Sequence, residues 1–411
     1  MALWRERWYI QKRRAKAFFS GLAYGLCRVF PINPNKVVMW TFEGNGGFGC
    51  SPRYIAQELL RRNGAGETRY QIYWLVCDME KEFPPEIQKV RSTLWSRAYH
   101  LSTARFWVAN TRTFYGAKKR KGTAYFQTWH GTVSLKPIGK YRGDQLPQMA
   151  CLASEADSRL MDYALSGSRW CTETWRDGLI YQGEILETGT PRCDVLFTGA
   201  EEKRRQLREE YHLPMDSRIL LYAPTFRGGS QNTARGVNAE AVSIQFSQVI
   251  RALEERFGGT WYVFLRLHPQ LAAQMGRMPV GDGDIRLIDV SQRPDMNEII
   301  AASDGMITDY SSAAFESMLI RQPVFLYIDD LREYIADRGK LMFTWEEIPF
   351  SAAFDPEGLV RNILAFDREK YEGDVERFIK KTGIIEDGHA SQRVADLLEE
   401  NGIKWIRQKG N

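Results

Sequence analysis

Paired cysteines and membrane-spanning apolar runs are both missing from this 411-residue chain. None of its six cysteines lies at C-x-x-C spacing, which argues against a zinc site and against the disulfide framework of a small secreted protein. They are Cys27, Cys50, Cys77, Cys151, Cys171 and Cys193. A reducing cytoplasm is the simplest compartment for such a chain. The apolar run at 17–27 is too short to span a bilayer as a helix.

Common signatures of metal and nucleotide sites are also missing. No Asp-x-Asp stands at the end of a predicted strand, because Asp282-Gly-Asp284 lies in a glycine loop, and we therefore expect no required metal. The glycine-rich segment 43–49 has neither G-x-G-x-x-G spacing nor a following Lys-Ser/Thr, so it is not a nucleotide fingerprint by itself. No repeat of solenoid period occurs.

The net charge of +5 is concentrated at the start of the chain. Six Lys or Arg residues stand against Glu6 within the first sixteen positions, interleaved with Trp4, Trp8 and Tyr9. With the apolar run that follows, they predict a basic amphipathic segment over residues 1–30 that lies on an anionic membrane surface. A soluble helix packed on the body is the alternative, and a signal peptide is disfavoured because no small-residue cleavage site follows. Nucleic acid is not an expected partner, since no basic face continues along the chain.

The length fits two domains of ordinary size. Short apolar strands alternate with helix-forming segments, which predicts an α/β fold with mainly parallel sheets. We assign residues 31–199 to an N-terminal Rossmann-like domain, 200–375 to a C-terminal one, and 376–411 to helices that pack back on the N-terminal domain. The predicted strands are 36–42, 71–76, 105–110, 124–129, 163–165, 184–187, 218–223, 261–266, 285–288, 305–308 and 323–327.

The segment 305–316 is the most informative part of the sequence. It reads Gly-Met-Ile-Thr-Asp-Tyr-Ser-Ser-Ala-Ala-Phe-Glu, a strand that runs through Asp309, Ser311 and Ser312 into a helix. The first N–H groups of a helix have no partner within it, and its dipole favours negative charge, so such a junction suits a phosphate. An ordinary N-cap formed by the two serines is the plainer alternative.

Two of the five histidines end predicted strands, namely His130 and His268. Open α/β sheets place ligands at strand ends, and a pair of histidines at matching edges favours a shared ligand site. Another strand ends in Thr225-Phe226-Arg227, where the guanidinium of Arg227 has the geometry to grip a phosphate with two hydrogen bonds.

These motifs occur in the order found in the CDP-glycerol glycerophosphotransferase family of teichoic-acid synthesis, which the chain resembles over roughly residues 33–398. The motifs are Trp129-His-Gly131, Gly189-Thr-Pro-Arg192, Ala223-Pro-Thr-Phe-Arg227, Leu267-His-Pro269, Asp295-Met-Asn-Glu298 and Ile307-Thr-Asp-Tyr-Ser-Ser312. The resemblance implies a GT-B architecture, in which two Rossmann-like lobes with parallel sheets face a central cleft.

The resemblance also implies an activity and its partners. An alditol phosphate would pass from CDP-glycerol to a hydroxyl of an undecaprenyl-diphosphate-linked saccharide or a growing polymer, with release of CMP. The protein would be peripheral, on the cytoplasmic face of the cell membrane. No cofactor is expected, because CDP-glycerol is the donor substrate.

For the site, the resemblance implies that His130 is the general base for the acceptor hydroxyl, since imidazole titrates near neutrality. His268 and Arg227 would stabilise the diphosphate and the departing CMP. Donor or substrate binding is expected of Gly131, Thr225, Thr308, Asp309, Ser311, Ser312, Glu316, Pro191 and Arg192.

Two other functions stay open at this point. A GT-B glycosyltransferase or sugar epimerase that uses a UDP-sugar would have the same phosphate-binding helix, because fold does not fix function. A noncatalytic membrane-binding or carbohydrate-binding scaffold is the second alternative. Within the favoured family, the sequence leaves open glycerol against ribitol, primase against polymerase, and teichoic acid against capsule.

Overall fold

The computed structural model describes residues 2–64, 69–225, 244–267 and 286–410. Over these ranges the chain forms two compact units, each built on its own parallel sheet. The first unit comprises Met1–His130, Leu146–Asp194 and Ile385–Asn411, and the second comprises Gly131–Gln145 and Val195–Ile384. The sequence predicts the second domain from residue 200 and does not predict that 131–145 belong to it.

The sheet of the first unit has seven strands in the order β3-β2-β1-β4-β5-β6-β7. The strands are β1 (Asn33–Trp40), β2 (Gln71–Val76), β3 (Gln88–Arg91), β4 (Ala104–Ala109), β5 (Ala124–Gln127), β6 (Tyr163–Ser166) and β7 (Glu184–Glu187). All are parallel, and β1 lies between β2 and β4. β4 is buried along its whole length, as expected for a strand in a parallel sheet that helices cover on both faces.

Helices cover both faces of this sheet. They are α1 (Ala2–Leu26), α2 (Cys50–Asn63), α3 (Leu94–Thr103), α4 (Gln148–Ser158), α5 (Arg169–Gly178) and α14 (Ala390–Gly410). Side chains along β1 alternate between the faces. Val37 and Met39 pack in one core with residues of α2 and α14, whereas Val38 and Trp40 pack in another with residues of α1 and α3.

The C-terminal helix is fastened to the first unit by Asp194. Its carboxylate accepts from the backbone N–H groups of Ala390 and Ser391 at 3.0 and 2.7 Å, which caps the first turn of α14. Val394 and Leu398 of this helix are fully buried in the core of the first unit.

The second unit has six parallel strands in the order β10-β9-β8-β11-β12-β13. They are β8 (Arg218–Ala223), β9 (Trp261–Leu265), β10 (Leu287–Asp289), β11 (Gly305–Thr308), β12 (Val324–Tyr327) and β13 (Ser351–Ala353). The remaining helices are α6 (Asp194–Thr198), α7 (Ala200–Glu210), α8 (Phe246–Phe257), α9 (Met296–Ala302), α10 (Ala313–Leu319), α11 (Leu331–Arg338), α12 (Pro356–Leu364) and α13 (Arg368–Thr382). The predicted boundary at residue 376 falls inside α13, which lies in the second unit.

Both sheets have the strand order of a Rossmann-like fold. In each, the order reverses between the first strand and the fourth, which are β1 and β4 in the first unit and β8 and β11 in the second. Open α/β sheets bind ligands beyond the carboxyl ends of the strands at this reversal. The residues that follow these strands are therefore where a site is expected.

Candidate active site

His130 lies at the carboxyl edge of the first sheet, in the segment that follows β5. Its Nδ1 is 2.8 Å from the carbonyl oxygen of Asn110, the residue directly after β4. A carbonyl oxygen only accepts hydrogen bonds, so Nδ1 carries the proton in this contact. The neutral imidazole then has its basic lone pair on Nε2, which suits a group that takes a proton from a hydroxyl.

The turn before His130 is held in an unusual backbone conformation. Trp129 has a φ of 51°, a value that bulky residues rarely adopt. Its backbone N–H donates to Oε1 of Gln127 at 3.0 Å, and its ring stacks on that of His130 with centroids 4.4 Å apart. The ring of Phe42 lies 5.8 Å from the same imidazole. These contacts fix the direction of the imidazole ring.

A network of buried hydrogen-bonded side chains connects to the turn before His130 through Gln127. Nε2 of Gln127 donates to the hydroxyl of Tyr125 at 2.9 Å, and that hydroxyl donates to Asp157 at 3.1 Å. Asp157 also accepts from the backbone N–H of Thr113 at 2.8 Å. Burial raises the pKa of Asp157 to about 6, although its hydrogen bonds act in the opposite direction. The polar network thus links α4 to the segment that carries His130.

In the second unit, Thr225 and Asp309 follow the neighbouring strands β8 and β11. The carboxylate of Asp309 accepts from the Thr225 backbone N–H at 2.8 Å and from its hydroxyl at 2.5 Å. Asp309 is buried. It therefore holds Thr225 at the point where the strand order reverses, and its part in donor binding stays a prediction.

Three more of the predicted residues lie together in this unit. Oγ of Ser311 accepts from the backbone N–H of Ala313 at 3.3 Å, whereas Ser312, the residue before α10, makes no capping bond with its side chain. A Cβ added to Gly131 would lie 3.4 Å from both Cβ and Oγ of Ser312. The structure thus brings the backbone of Gly131 close to Ser312.

Thr308 and Glu316 are both buried in the second unit. The hydroxyl of Thr308 donates to the carbonyl oxygen of Ala223 at 2.6 Å and so ties β11 to β8. Glu316 is fully buried on α10. Thr308 therefore has a role within the sheet, and contact of either side chain with a donor stays a prediction.

Pro191 and Arg192 lie in the first unit, not with Thr225 and Ser312 in the second. Both are buried in a short helical turn, where Nη1 of Arg192 is 3.9 Å from Sγ of Cys50 in α2. This turn leads to Asp194, the cap of α14. The structure gives the segment a packing role, and its part in substrate binding stays a prediction.

Two predicted catalytic residues, Arg227 and His268, lie outside the described residues, as does Asp282-Gly-Asp284. Among the residues that the structure does describe, no group of three or more His, Cys, Asp or Glu side chains is placed to hold a metal ion. Independence from metals stays a prediction.

Sequence reasoning missed Asn110 and Gln127. A signal for both was available, because each is a polar residue at the end of an otherwise apolar strand segment. Such residues lie at the edge where ligands bind in an open α/β sheet.

A model of the family described as CDP-Glycerol:Poly(glycerophosphate) glycerophosphotransferase matches residues 22–400. The chain belongs to this family. The resemblance inferred from the motifs is therefore confirmed. The chain is 28% identical over 384 residues to the teichoic acid poly(glycerol phosphate) polymerase of Staphylococcus epidermidis, covering 90% of this chain and 51% of that protein.

Over 403 residues it is also 28% identical to the teichoic acid glycerol-phosphate transferase of Staphylococcus aureus, covering 94% of this chain and 99% of that one. Thus the chain spans about half of the first relative and nearly all of the second. The solved structure of the wall teichoic acid polymerase TagF matches with a TM-score of 0.78 at 25% identity, covering 98% of this chain and 97% of that one. This likeness confirms an α/β fold with two parallel sheets.

Proposed function

We propose that this chain is a glycerophosphotransferase, which moves glycerol phosphate or a related alditol phosphate from CDP-glycerol to a hydroxyl of a lipid-linked saccharide or growing polymer. The product would be a teichoic acid or a similar cell-surface polymer. The observation that carries the proposal is the contact between His130 and the Asn110 carbonyl, in a chain whose family description names this transfer. The arrangement of the two sheets around a central cleft stays part of the proposal.

In the proposed reaction, the acceptor hydroxyl oxygen attacks the phosphorus that bears the glycerol, and the bond from that phosphorus to the CMP oxygen breaks. The hydroxyl proton passes to Nε2 of His130, and CMP leaves with the negative charge. Ser311 and Ser312 supply hydroxyl and backbone N–H donors for the phosphate oxygens. The backbone N–H and the hydroxyl of Thr225 both donate to Asp309, so Thr225 is proposed to contact the donor substrate without donating a hydrogen bond to it. Arg227 and His268 are proposed to neutralise the charge on the departing CMP.

Nucleotide release separates this proposal from the alternatives. The purified chain is incubated with a saccharide acceptor and either CDP-glycerol, CDP-ribitol or a UDP-sugar, and CMP and UDP are measured. We expect acceptor-dependent release of CMP. Release of UDP alone would overturn the proposal in favour of a glycosyltransferase or epimerase, and release of neither nucleotide would favour a noncatalytic scaffold.

The same assay tests independence from metals. We expect the rate of CMP release to be unchanged by a millimolar chelator. A loss of activity that Mg²⁺ restores would show that a metal is required.

We also propose that α1 binds an anionic membrane surface as a peripheral element on the cytoplasmic face. Large apolar side chains are exposed along one face of this helix. They are Trp4, Trp8, Phe18, Phe19, Leu22 and Leu26. On the other face Ala23 and Tyr24 pack in a core of the first unit, and Ile10 is buried. None of the helices in the described part of the chain is long and apolar enough to cross a membrane.

Vesicle cosedimentation tests this placement. A chain with Trp8→Glu, Phe19→Glu and Leu26→Glu is compared with wild type on phosphatidylglycerol vesicles. We expect the triple variant to stay in the supernatant, because it exchanges apolar contacts for like-charge repulsion. Phe354→Glu, which changes an exposed aromatic residue of the second unit, is the control and should sediment like wild type. Equal sedimentation of the triple variant would refute the membrane contact.

A further inference from the structure

A small cationic cavity lies between α1 and the carboxyl edge of the first sheet. Its volume is about 200 Å³. Four cationic side chains line it and only one carboxylate does, that of Glu43. The cations are Arg13, Lys16, Arg97 and Arg112. Within the described ranges, none of these four forms a salt bridge. The cavity therefore has more cationic than anionic side chains in its lining, although Arg112 is also attracted by Glu43 and Asp157 and Arg97 lies over the ring of Phe114.

The orientation of α1 explains how the cavity is built. Arg13, Lys16, Ser20 and Tyr24 lie on one face of the helix at spacings of three and four residues, and all four line the cavity. The exposed face carries the apolar stripe from Trp4 to Leu26. A surface helix normally turns its charged residues to solvent. Here part of the charge points toward the body, which is what binding of an anion at that place requires.

Two buried hydroxyl groups in the cavity lining are further candidate hydrogen-bond partners for an anion. Tyr24 is only 1% exposed, and among the described residues its hydroxyl has no hydrogen-bond partner. The buried hydroxyl of Thr113, which also lines the cavity, has none either. Buried polar groups are nearly always paired in proteins. Burial raises the pKa of Tyr24, so its hydroxyl keeps its proton and is a donor for an anion.

A second, more apolar cavity of about 570 Å³ adjoins the first. Both are lined by Phe114 and Tyr115. The second is also lined by Phe18 and Leu22, which belong to the exposed apolar stripe of α1. Its lining also contains the charged residues Arg14, Lys118, Asp157 and Arg159. The two cavities together therefore lead from a cationic end to a mixed lining whose apolar part continues into the exposed stripe of α1. An amphiphile with an anionic head and a hydrocarbon chain matches this order of environments.

The cationic end lies beside the proposed general base. Arg112 follows Asn110 by two residues, and the Asn110 carbonyl orients His130. Glu43 follows Phe42, whose ring lies 5.8 Å from that of His130. The backbone N–H of Glu43 donates to the hydroxyl of Thr111 at 3.0 Å, which ties the loop after β1 to the segment after β4. A head group in the cavity would thus be held on the acceptor side of the reaction.

We propose that the cationic cavity binds the diphosphate of an isoprenyl-diphosphate lipid and that the adjoining cavity binds the first part of its hydrocarbon chain. That this lipid is the anchor of the acceptor rests on the proposed function, whereas the binding of an isoprenyl diphosphate does not. A diphosphate presents two adjacent anionic groups, which suits several cationic side chains and hydroxyl donors around one cavity.

Calorimetric titration with farnesyl diphosphate tests the site directly. We expect the full chain to bind farnesyl diphosphate more tightly than inorganic pyrophosphate or farnesol, because each of these lacks one half of the matching chemistry. Arg112→Gln should weaken binding of farnesyl diphosphate by about tenfold, the loss expected for one charge-assisted hydrogen bond. Arg176→Gln, which removes the same charge from an exposed position on α5, should bind like wild type.

Two milder variants keep the test independent of folding. Lys16 is exposed, and Lys16→Gln should weaken binding severalfold without changing the melting temperature. Tyr24→Phe removes only a hydroxyl, so it should weaken binding of farnesyl diphosphate while leaving the melting temperature of the unliganded chain unchanged or raised. A purely structural role of Tyr24 would give the opposite pattern, a lower melting temperature and unchanged binding.

Equal affinity of wild type, Arg112→Gln and Lys16→Gln would overturn the site. Equal affinity for pyrophosphate and farnesyl diphosphate would overturn the lipid and leave a free phosphate compound as occupant, and equal affinity for farnesol would overturn the anion. If the chain releases no CMP yet binds farnesyl diphosphate through Arg112, the proposed function fails and the binding site stands.

Discussion

The two sheets share the strand order of their first six strands, yet different types of residue follow the carboxyl ends of those strands. Beyond the strands of the first unit lie an imidazole oriented by a backbone carbonyl and a cavity lined by four cationic side chains and one carboxylate. Beyond β8 and β11 of the second unit lie small hydroxyl residues and Asp309, a buried carboxylate that holds Thr225. A Rossmann-like sheet thus fixes where a site is, and the residues after its strands decide what the site handles.

This difference fits a division of labour in the proposed reaction. In the proposed reaction, the basic nitrogen and the cationic cavity of the first unit would serve an acceptor hydroxyl on an anionic lipid. The short hydroxyl side chains and closely approaching backbone of the second unit would serve the phosphate oxygens of a donor. Each part of this comparison is open to a separate mutational test.

Removal of the imidazole should have the largest effect. His130→Gln retains an amide that can meet the Asn110 carbonyl but has no basic nitrogen, so we expect kcat for CMP release to fall by about 10²- to 10⁴-fold, with KM for CDP-glycerol nearly unchanged. The measurement is steady-state release of CMP with a saccharide acceptor.

His212→Asn is the matched control for this variant. His212 is exposed and has a φ of 54°, a left-handed conformation that asparagine tolerates well. We expect its kinetics to equal those of wild type. If His130→Gln retained wild-type kcat at an unchanged melting temperature, the first unit would not supply the base.

The network beneath His130 should show itself in the pH dependence of stability. The pKa of Asp157 is raised from the usual 3.8 to about 6 by burial, so between these values the folded chain keeps a proton that the unfolded chain releases. The free energy of unfolding should therefore fall as pH rises from about 4 to 6, by at most about 3 kcal/mol from this residue.

Asp157→Asn should remove this part of the pH dependence, because the amide keeps an oxygen acceptor for Thr113 and Tyr125 but does not titrate. Denaturant unfolding of both chains at pH 4, 5, 6 and 7 gives the comparison. Parallel stability curves for wild type and variant would show that Asp157 does not titrate in this range.

Loss of the contact between Asp309 and Thr225 in the second unit should have a smaller effect. Asp309→Ala leaves the backbone N–H and the hydroxyl of Thr225 without this acceptor, and we expect a loss of about 1–3 kcal/mol in stability together with a higher KM for CDP-glycerol. Thr225→Val tests the same contact from the other side. Thr225→Val removes only the hydroxyl bond, because the backbone N–H of residue 225 can still donate to Asp309. In the double variant the loss should therefore be smaller than the sum of the two single losses, since both variants remove that hydroxyl bond. Additive losses would show that the contact is not what positions Thr225.

The sequence predicted most strands because each is an apolar run between turn residues. β3 and β13 were missed for physical reasons. β3 reads Gln-Lys-Val-Arg and lies at the edge of its sheet, so it carries no apolar run. β13 has three residues and also forms an edge. Edge strands pair on one side only and need little apolar surface.

The sequence was sufficient to predict that the candidate site residues lie at strand ends. It was not sufficient to predict their hydrogen-bond partners. The types of Thr225 and Asp309 were sufficient to find the carboxyl edge, whereas the hydrogen bond of Thr308 to Ala223 is invisible in sequence. The partner of His130 is a backbone carbonyl twenty residues earlier, which no side-chain motif encodes. The cavity behind α1 arises from packing of that helix, and a charge count predicted only its outer, membrane-facing role.

Mass spectrometry of the acceptor tests the central claim most directly. The chain is incubated with CDP-glycerol and a short isoprenyl-diphosphate-linked saccharide, and the acceptor mass is compared with the amount of CMP released. The proposed function predicts an acceptor heavier by whole glycerol phosphate units, with one CMP for each unit added. An acceptor of unchanged mass, whether or not CMP is released, would contradict transfer to its hydroxyl.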